Sequence, residues 1–253
     1  MTERVRLTQD NGVALLLLDR ADKLNALDLD MVRALGDRCR EIERSNARVV
    51  LLSGAGKAFC AGGDIAAWSA LSPEEFGRFW LREGHAAFDA LARLRQPVIA
   101  VLDGHALGGG LELAACADLR IAEAHIRVGQ PESGLGIVPG WSGTQRAVRR
   151  FGAQTVRRMA LMGEVFSADA ALQLGIVDRV VPTGTAMAAA RGVAQQLLQR
   201  GGRASELIKM MINAAEGEDR ERVIDTLAGT VAAGSAELAE GLDAFRQRRP
   251  PQF

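Results

Sequence analysis

The sequence contains few cysteines and few histidines. Its three cysteines, Cys39, Cys60 and Cys116, are an odd number at unrelated spacings, which favours reduced thiols in a cytosolic compartment. The sequence has no Cys-x-x-Cys motif and no clustered pair among its three histidines. We therefore expect no zinc site and no other metal site.

An excess of charge of one sign and long apolar runs are also lacking. Lysine and arginine together number 31, as do aspartate and glutamate, so no overall field would attract nucleic acid or anionic membranes. The segment 1–10 is polar, and the apolar run Val13–Leu18 is too short for a signal sequence or a membrane span. We expect a cytoplasmic protein that binds neither nucleic acid nor membrane.

The composition, with 48% hydrophobic and 25% charged residues, is ordinary for a globular protein. A chain of 253 residues is long enough to bury a large core. A hairpin turn is predicted at Asn11-Gly12, and buried strands are predicted at Val13–Leu18, 48–53 and Val98–Leu102.

Two helices are predicted from their capping residues. One begins at Asp28 and continues to about Asn46, and the other begins at Ser72 and continues without a break to a point before Pro97. Strands that alternate with helices through short connections favour an α/β domain, and simple alternation alone would suggest a single doubly wound sheet.

The composition changes after Pro182. No strand pattern returns, and alanine-rich segments of helical character follow at 186–200, 204–215 and 221–247. We therefore expect a core of residues 1–182 and an all-helical region of residues 183–253.

The most informative stretch contains a run of glycines from Gly108 to Gly110, with Glu112 and Glu132 after it. Glycine lets a substrate approach the backbone closely, and the free N–H groups of a helix that starts here would face the same point. Glu112 lies in an otherwise apolar stretch, where a buried carboxylate needs a partner or a function. Backbone donors and two carboxylates predict an enzyme that stabilises an enolate-like charge and transfers protons. The alternative is that the glycines only make turns and the glutamates are structural or solvated.

The order and spacing of several motifs resemble the crotonase family, also called the enoyl-CoA hydratase/isomerase family, over most of the chain. The motifs are RADKLNAL (20–27), FCAGGDI (59–65), ALGGGLEL (106–113), QPE (130–132), PGWSGTQR (139–146) and GIVDRVVP (175–182). The resemblance implies a crotonase-like spiral of ββα units with two roughly perpendicular sheets. It also implies C-terminal helices that form the contacts of a homotrimer or a dimer of trimers and cover a coenzyme A (CoA) site, unless those helices only pack on their own core.

The resemblance also implies the reaction and the residues that perform it. The backbone amides of Gly63 and Gly109 would bind the oxyanion of an acyl-CoA thioester. Glu112 and Glu132 would hold one water between them, with help from the amide of Gly140. Because both glutamates are present, the implied activity is that of an enoyl-CoA hydratase. The resemblance implies no metal or redox cofactor, and CoA is part of the substrate.

The substrate-binding residues are assigned on the same basis. The segment that begins at Lys23 matches the part of the family that lines the adenosine end of CoA, and Lys209 is expected to approach a CoA phosphate in a neighbouring subunit. Both lysines have an alternative interpretation as solvated surface residues. The full set of expected substrate-binding residues is Lys23, Leu24, Ala26, Ala61, Gly62, Asp64, Ile65, Trp141 and Lys209.

The sequence departs from the family pattern at three positions. Ala21 replaces a usual proline, which is a mild change. Trp141 and Ser142 stand where a small residue and a glycine are typical. A tryptophan beside the expected catalytic water must reshape the acyl pocket, so Trp141 is predicted to set acyl specificity.

Other functions remain open at this point. Within the family they are Δ3-Δ2 enoyl-CoA isomerase, decarboxylase and thioester hydrolase. One family branch binds AU-rich RNA, and a local basic cluster invites that comparison, although zero net charge and a complete glutamate pair argue against it. The cluster consists of Arg146, Arg149, Arg150, Arg157 and Arg158, and these arginines are expected instead to form a solvated helix face or ion pairs between subunits. A serine hydrolase is not expected, because the Gly-x-Ser-x-Gly motif is absent from the sequence.

Overall fold

A computed structural model gives the fold and describes residues 4–233 and 235–253. The chain forms two compact units, one that ends at Glu206 and one that covers Leu207–Phe253. Among the described residues, no helix combines the length and the apolar character that a membrane span requires.

Strands and helices alternate along most of the chain. The strands are Val5–Asp10 (β1), Val13–Leu18 (β2), Val49–Gly54 (β3), Ala58–Cys60 (β4), Val98–Leu102 (β5), His105–Leu107 (β6), Leu119–Glu123 (β7), Arg127–Gly129 (β8), Val165–Ser167 (β9) and Arg179–Val181 (β10). The helices are Leu29–Arg44 (α1), Ile65–Trp68 (α2), Pro73–Glu75 (α3), Arg82–Ala92 (α4), Gly109–Ala114 (α5), Gln145–Phe151 (α6), Ala153–Ala160 (α7), Ala168–Gln173 (α8), Ala186–Leu198 (α9), Gly202–Ala215 (α10), Arg220–Ala233 (α11) and Ala236–Gln247 (α12).

The larger sheet has the strand order β1-β2-β3-β5-β7-β10. β1 and β2 form an antiparallel hairpin. Its turn, Asn11-Gly12, has φ angles of 48° and 80°. Two-residue hairpin turns of type I′ require positive φ at both central residues, and asparagine followed by glycine is a preferred pair there. The other neighbours are parallel, and β3 and β5 are buried throughout because both faces of the sheet are covered.

The smaller sheet has the strand order β4-β6-β8-β9. β4, β6 and β8 each follow a strand of the larger sheet directly in the chain, namely β3, β5 and β7. The chain therefore passes repeatedly from one sheet to the other, and helices α2 and α5 follow two of these passages. The α/β fold with two sheets and C-terminal helices is confirmed. The single doubly wound sheet that simple alternation would suggest does not form.

Both predicted helix caps are present, but the second helix differs from the prediction. Asp28 accepts a hydrogen bond from the Met31 amide at 2.9 Å, and Ser72 forms a capping box with Glu75. The continuous helix expected after Ser72 is interrupted by a π-helical segment, Phe76–Leu81. A π-helical turn holds more residues than an α-helical turn, so the side chains after Glu75 emerge in directions that an α-helix does not give.

Helix α9 packs on the larger sheet within the first unit. Ala186, Ala190 and Ala194 are buried along one side of the helix, and they contact a cluster that includes Leu51 and Val101. Small side chains at a spacing of four residues let the helix axis approach the strands closely. The division of the chain at Pro182 into a core and a separate helical region stays a prediction.

Asn25 joins the turn after β2 to the loop before β4. The residue is fully buried and has a φ of 56°. Its Nδ2 donates to the carbonyl oxygens of Ala55 at 2.9 Å and Ala58 at 2.8 Å, and its Oδ1 accepts from the Arg20 amide at 2.9 Å. One side chain thus satisfies several buried backbone groups.

We expect Asn25→Ala to lower the free energy of unfolding by about 3 kcal/mol, because buried carbonyl and amide groups lose their partners and alanine disfavours positive φ. Urea unfolding measures this loss. The exposed Asn46 supplies the control, since Asn46→Ala should change stability by less than about 0.5 kcal/mol. A loss below about 1 kcal/mol for Asn25→Ala would contradict the assigned role.

Candidate active site

The turn between β6 and α5 places a helix N-terminus beside a cavity. Gly108 has φ 52° and ψ −126°, a conformation open to glycine and very costly for other residues. α5 begins at the next residue, Gly109, and its first turn carries Glu112. The glycine run is therefore a structural requirement of the turn, and it directs the start of α5 at the cavity.

The amides of Gly63 and Gly109 lie close together. A Cβ built on Gly109 would be 3.4 Å from the Gly63 nitrogen, and one built on Gly62 would be 3.4 Å from the Gly109 nitrogen. Within the described residues, neither amide donates to a backbone carbonyl. Two adjacent N–H donors without an acceptor are the arrangement that stabilises a developing oxyanion.

The Glu112 carboxylate is buried, with 3% of the residue exposed. Its Oε1 accepts a hydrogen bond from the Trp141 amide at 2.8 Å. Burial raises the pKa of Glu112 to about 7, and the charge of Glu132 raises it further, whereas the amides of Trp141, Gly143 and Gly140 oppose the rise. Glu112 is therefore poised near neutral pH, where a carboxyl group can both donate and accept a proton.

Glu132 lies at the start of a 3₁₀-helical turn, Glu132–Leu135. Both of its carboxylate oxygens are buried, and neither has a hydrogen-bond partner among the described residues. Burial raises the pKa of Glu132 as well. A Cβ built on Gly108 would be 3.0 Å from Glu132 Oε1, so this carboxylate lies directly over the glycine turn.

These groups line one cavity of about 190 Å³. Its backbone wall is formed by glycines that include Gly63, Gly109 and Gly140, and both Glu112 and Glu132 contribute to it. The remaining wall is largely apolar, with the side chains of Ile65, Trp68, Phe76, Trp80, Leu81, Leu107, Leu135, Ile137, Val138 and Trp141. The cavity thus combines free amide donors, two carboxylates and an apolar compartment, as a site for an acyl group requires.

The loop that contacts the Glu112 carboxylate contains Trp141 and Ser142, two of the three residues that depart from the family pattern. A Cβ on Gly143 would lie 2.2 Å from Glu112 Oε1, so the backbone contacts the carboxylate directly. Ser142 has a φ of 68°, which explains why glycine is typical at that position. Its Oγ lies 3.4 Å from Nδ1 of His85. At position 142 the loop therefore has a backbone conformation that favours glycine, although the residue is a serine.

Trp141 belongs to both the core and the cavity wall. Only 2% of the residue is exposed. Its Nε1 donates to the Trp80 carbonyl at 3.1 Å, and its ring centroid lies 5.0 Å from that of Trp80 and 4.9 Å from that of Phe88. The indole thus fills the end of the cavity and is held there on several sides.

The predicted substrate-binding residues divide into two groups. The cavity is lined by Ala61, Gly62, Ile65 and Trp141, but not by Lys23, Leu24, Ala26 or Asp64. This second group lies next to the amide-bearing segment, since the Ala61 amide donates to the Leu24 carbonyl at 3.0 Å. Asp64 pairs with Arg20 at 2.7 Å and caps α2, which gives its carboxylate a structural role.

Two basic residues that the sequence allows to be solvated are buried in the structure. Arg146 is 1% exposed, and its Nη2 donates to Asp89 at 2.7 Å, so it is not part of a solvated basic face. Lys209 on α10 is also buried, with 6% exposed. Its interpretation as a solvated lysine is therefore wrong, and its contact with a CoA phosphate stays a prediction.

Sequence reasoning did not assign Trp68, Phe76, Trp80 and Leu81 to the site. Three of these lie in or at the ends of the π-helical segment, where helical periodicity gives the wrong direction for the side chains. The available signal was compositional, since the helix after Ser72 is rich in aromatic residues although aromatic residues form only 4% of the sequence.

Comparisons with known proteins show the family to which the chain belongs. The model of the family described as enoyl-CoA hydratase/isomerase matches residues 8–253. A crotonyl-CoA hydratase of Syntrophomonas wolfei is 33% identical over 99% of this chain and 98% of its own length. A short-chain-enoyl-CoA hydratase of Clostridium acetobutylicum is 38% identical over 83% and 80%.

A solved structure gives the same result. The crystal structure of the enoyl-CoA hydratase from Bacillus anthracis superposes with a TM-score of 0.80 at 30% sequence identity, covering 99% of this chain and 98% of that chain. The fold, the two adjacent amides beside buried glutamates and the full-length sequence matches lead to one assignment. The chain belongs to the crotonase family, the enoyl-CoA hydratase/isomerase family.

Proposed function

We propose that the protein is an enoyl-CoA hydratase, which adds water reversibly across the 2,3 double bond of an enoyl-CoA thioester. The observation that most supports this proposal is the pair Glu112 and Glu132, two buried carboxylates in one cavity beside two free amides. The names of the similar proteins from Syntrophomonas wolfei and Clostridium acetobutylicum, both hydratases, support it further.

The proposed mechanism begins with the thioester carbonyl. Its oxygen accepts hydrogen bonds from the Gly63 and Gly109 amides, which draw electrons from the double bond and stabilise the enolate. The oxygen of a water held between Glu112 and Glu132 bonds to C3. One glutamate takes a proton from that water, and the other delivers a proton to C2 as the enolate collapses.

The electrostatics of the pair suit this exchange of protons. Two carboxylates in one buried site do not both ionise readily, and burial raises the pKa of each. Protonation of one glutamate therefore favours ionisation of the other. A pair that carries one proton contains the acid and the base that hydration needs, and the reverse reaction uses the same pair.

We expect Glu112→Gln and Glu132→Gln each to reduce crotonyl-CoA hydration by at least about a hundredfold, because an amide cannot accept a proton. Binding of the CoA ester should remain nearly unchanged, since the side chains are almost isosteric. Loss of absorbance of the conjugated thioester measures the rate, and isothermal titration with butyryl-CoA measures binding.

The exposed Glu74 supplies the matched control, and Glu74→Gln should keep wild-type activity. If either active-site variant keeps more than about a tenth of the rate, that glutamate is not an acid–base group. Retention in Glu132→Gln alone would favour a Δ3-Δ2 isomerase.

The pKa of Glu112 also predicts a pH dependence of stability. A pKa raised from 4.5 to about 7 means that the folded protein binds this proton more tightly than the unfolded chain does. The stability of the wild-type protein relative to Glu112→Gln should therefore fall by up to about 3 kcal/mol as the pH rises from about 4.5 to above 7. Urea unfolding of both proteins at several pH values tests this, and parallel curves would contradict it.

Trp141→Ala is expected to shift relative kcat/KM toward longer straight-chain enoyl-CoAs. An indole buries on the order of 200 Å², far more than a methylene group does. Since a pocket discriminates a single methylene by about 1–3 kcal/mol, removal of the whole indole should change the substrate preference measurably. The measurement compares crotonyl-CoA with 2-decenoyl-CoA, with the exposed Phe79→Ala as control. An unchanged profile would mean that Trp141 does not set acyl specificity.

We also propose a homotrimer or a dimer of trimers built on the C-terminal helices. Ile212, Leu238, Leu242 and Phe245 in the second unit are 42–82% exposed in the single chain, which is an unusual number of large apolar side chains to leave in water. Light scattering at micromolar concentration should give three or six times the chain mass of 27.0 kDa. A stable monomer would remove this proposal.

A further inference from the structure

All tryptophans of the protein line the same cavity. The sequence contains three tryptophans and no tyrosine, and Trp68, Trp80 and Trp141 all contribute to the wall of the cavity. Trp80 and Trp141 are only 4% and 2% exposed. We refer to these three residues as the indole wall.

The indole wall contacts the two glycines whose amides face the cavity. A Cβ on Gly63 would lie 2.9 Å from Cζ2 of Trp80 and 3.5 Å from Cδ1 and Nε1 of Trp68. A Cβ on Gly109 would lie 3.1 Å from Cζ3 of Trp141. Indole edges therefore occupy the space that side chains at Gly63 and Gly109 would need, and they limit the movement of both backbones toward the wall.

Each indole of the wall is held by further contacts. Trp141 donates through Nε1 to the Trp80 carbonyl at 3.1 Å, and the two rings are in contact, with centroids 5.0 Å apart. On its other side the Trp141 indole fills a slot on α4, because a Cβ on Gly84 would lie 1.9 Å from Nε1. Trp68 packs edge-on against Phe76 at 5.9 Å. The indoles therefore have little freedom to move away from the glycines.

Trp141 also connects the amides to the carboxylate. Its side chain packs against Gly109, and its own backbone amide donates to Glu112 at 2.8 Å. One residue thus contacts a donor for the carbonyl oxygen and an acid–base group. A movement of Trp141 would therefore be felt by both groups.

We propose that the indole wall positions the Gly63 and Gly109 amides relative to each other and to Glu112, so that Trp80 and Trp141 are positioning residues for the oxyanion. The inference rests on the proposed function. Its physical basis is that a misplacement of about 1 Å costs roughly a hundredfold in rate. The wall should therefore affect the transition state much more than the binding of the ground state.

The kinetic test uses Trp80→Leu and Trp141→Leu with crotonyl-CoA as substrate. Each variant should lower kcat by roughly ten- to a hundredfold, whereas KM should change by less than about threefold, because the two amides bind the oxyanion of the transition state more strongly than the carbonyl of the ground state. Phe79→Leu is the matched control, because Phe79 lies in the same π-helical segment, is 47% exposed and does not line the cavity. It should keep wild-type kcat and KM.

A spectroscopic test separates positioning from general loss of structure. Butyryl-CoA labelled with ¹³C at the thioester carbonyl cannot be hydrated, and hydrogen bonds from the amides lower its C=O stretching frequency on binding. The lowering should be large in the wild-type protein and in Phe79→Leu, and smaller in Trp80→Leu and Trp141→Leu at saturating ligand. Since the fluorescence arises only from the indole wall, the tryptophans left in each variant report on its folding and its Kd for butyryl-CoA.

The outcomes are distinguishable. If the wild-type protein neither binds butyryl-CoA nor hydrates any enoyl-CoA, the proposed function fails and this inference fails with it. If the wild-type protein is an active hydratase but folded Trp80→Leu and Trp141→Leu keep the wild-type kcat and C=O frequency, only the positioning role is overturned. If one variant does not fold, the other decides by the same two measurements.

Discussion

Burial of the Glu112 carboxylate is the constraint on which the site depends. A carboxylate in an apolar interior is strongly destabilised unless donors surround it. Here the donors are the backbone amides of Gly140, Trp141 and Gly143 in the loop 139–143. That loop must pass so close to the carboxylate that Gly143 has no room for a side chain, and it accommodates Ser142 at positive φ. The conformation of the loop is thus a consequence of the charge that it solvates.

The same constraint sets the chemistry. Burial and the neighbouring Glu132 raise the pKa of Glu112, and the amides counteract part of this rise, so that the pKa is about 7. Stronger solvation by the loop would leave a permanently ionised base, and weaker solvation a permanently protonated acid. Glu132 has no competing hydrogen-bond donor among the described residues, so its oxygens remain available to water or substrate. The pair can therefore exchange protons in both directions.

Local features of the fold were predictable from sequence, because short-range chemistry determines them. The hairpin at Asn11-Gly12, the cap at Asp28 and the capping box at Ser72 depend on residues close in the chain. Glu112 was recognisable since a carboxylate in an apolar stretch is anomalous. By contrast, the burial of Arg146 depends on Asp89, far away in sequence, and the role of Asp64 depends on Arg20. Only the family resemblance predicted the spiral of ββα units, because periodicity identifies strands but does not show which sheet each strand joins.

The departure at Trp141 shows that one unusual residue does not by itself reveal how a site is built. An indole stands beside Glu112 where the family pattern has a small residue, and the loop donates a hydrogen bond to Glu112 through the Trp141 amide. The room for the ring comes from Gly84 on α4, where a Cβ would overlap Nε1, and the Trp80 carbonyl accepts the indole N–H. Both compensations lie in the helix after Ser72, far from Trp141 in sequence. The π-helical segment and Gly84 together accommodate Trp141, so the room for the large residue lies in the helical segments that face it rather than in the loop that carries it.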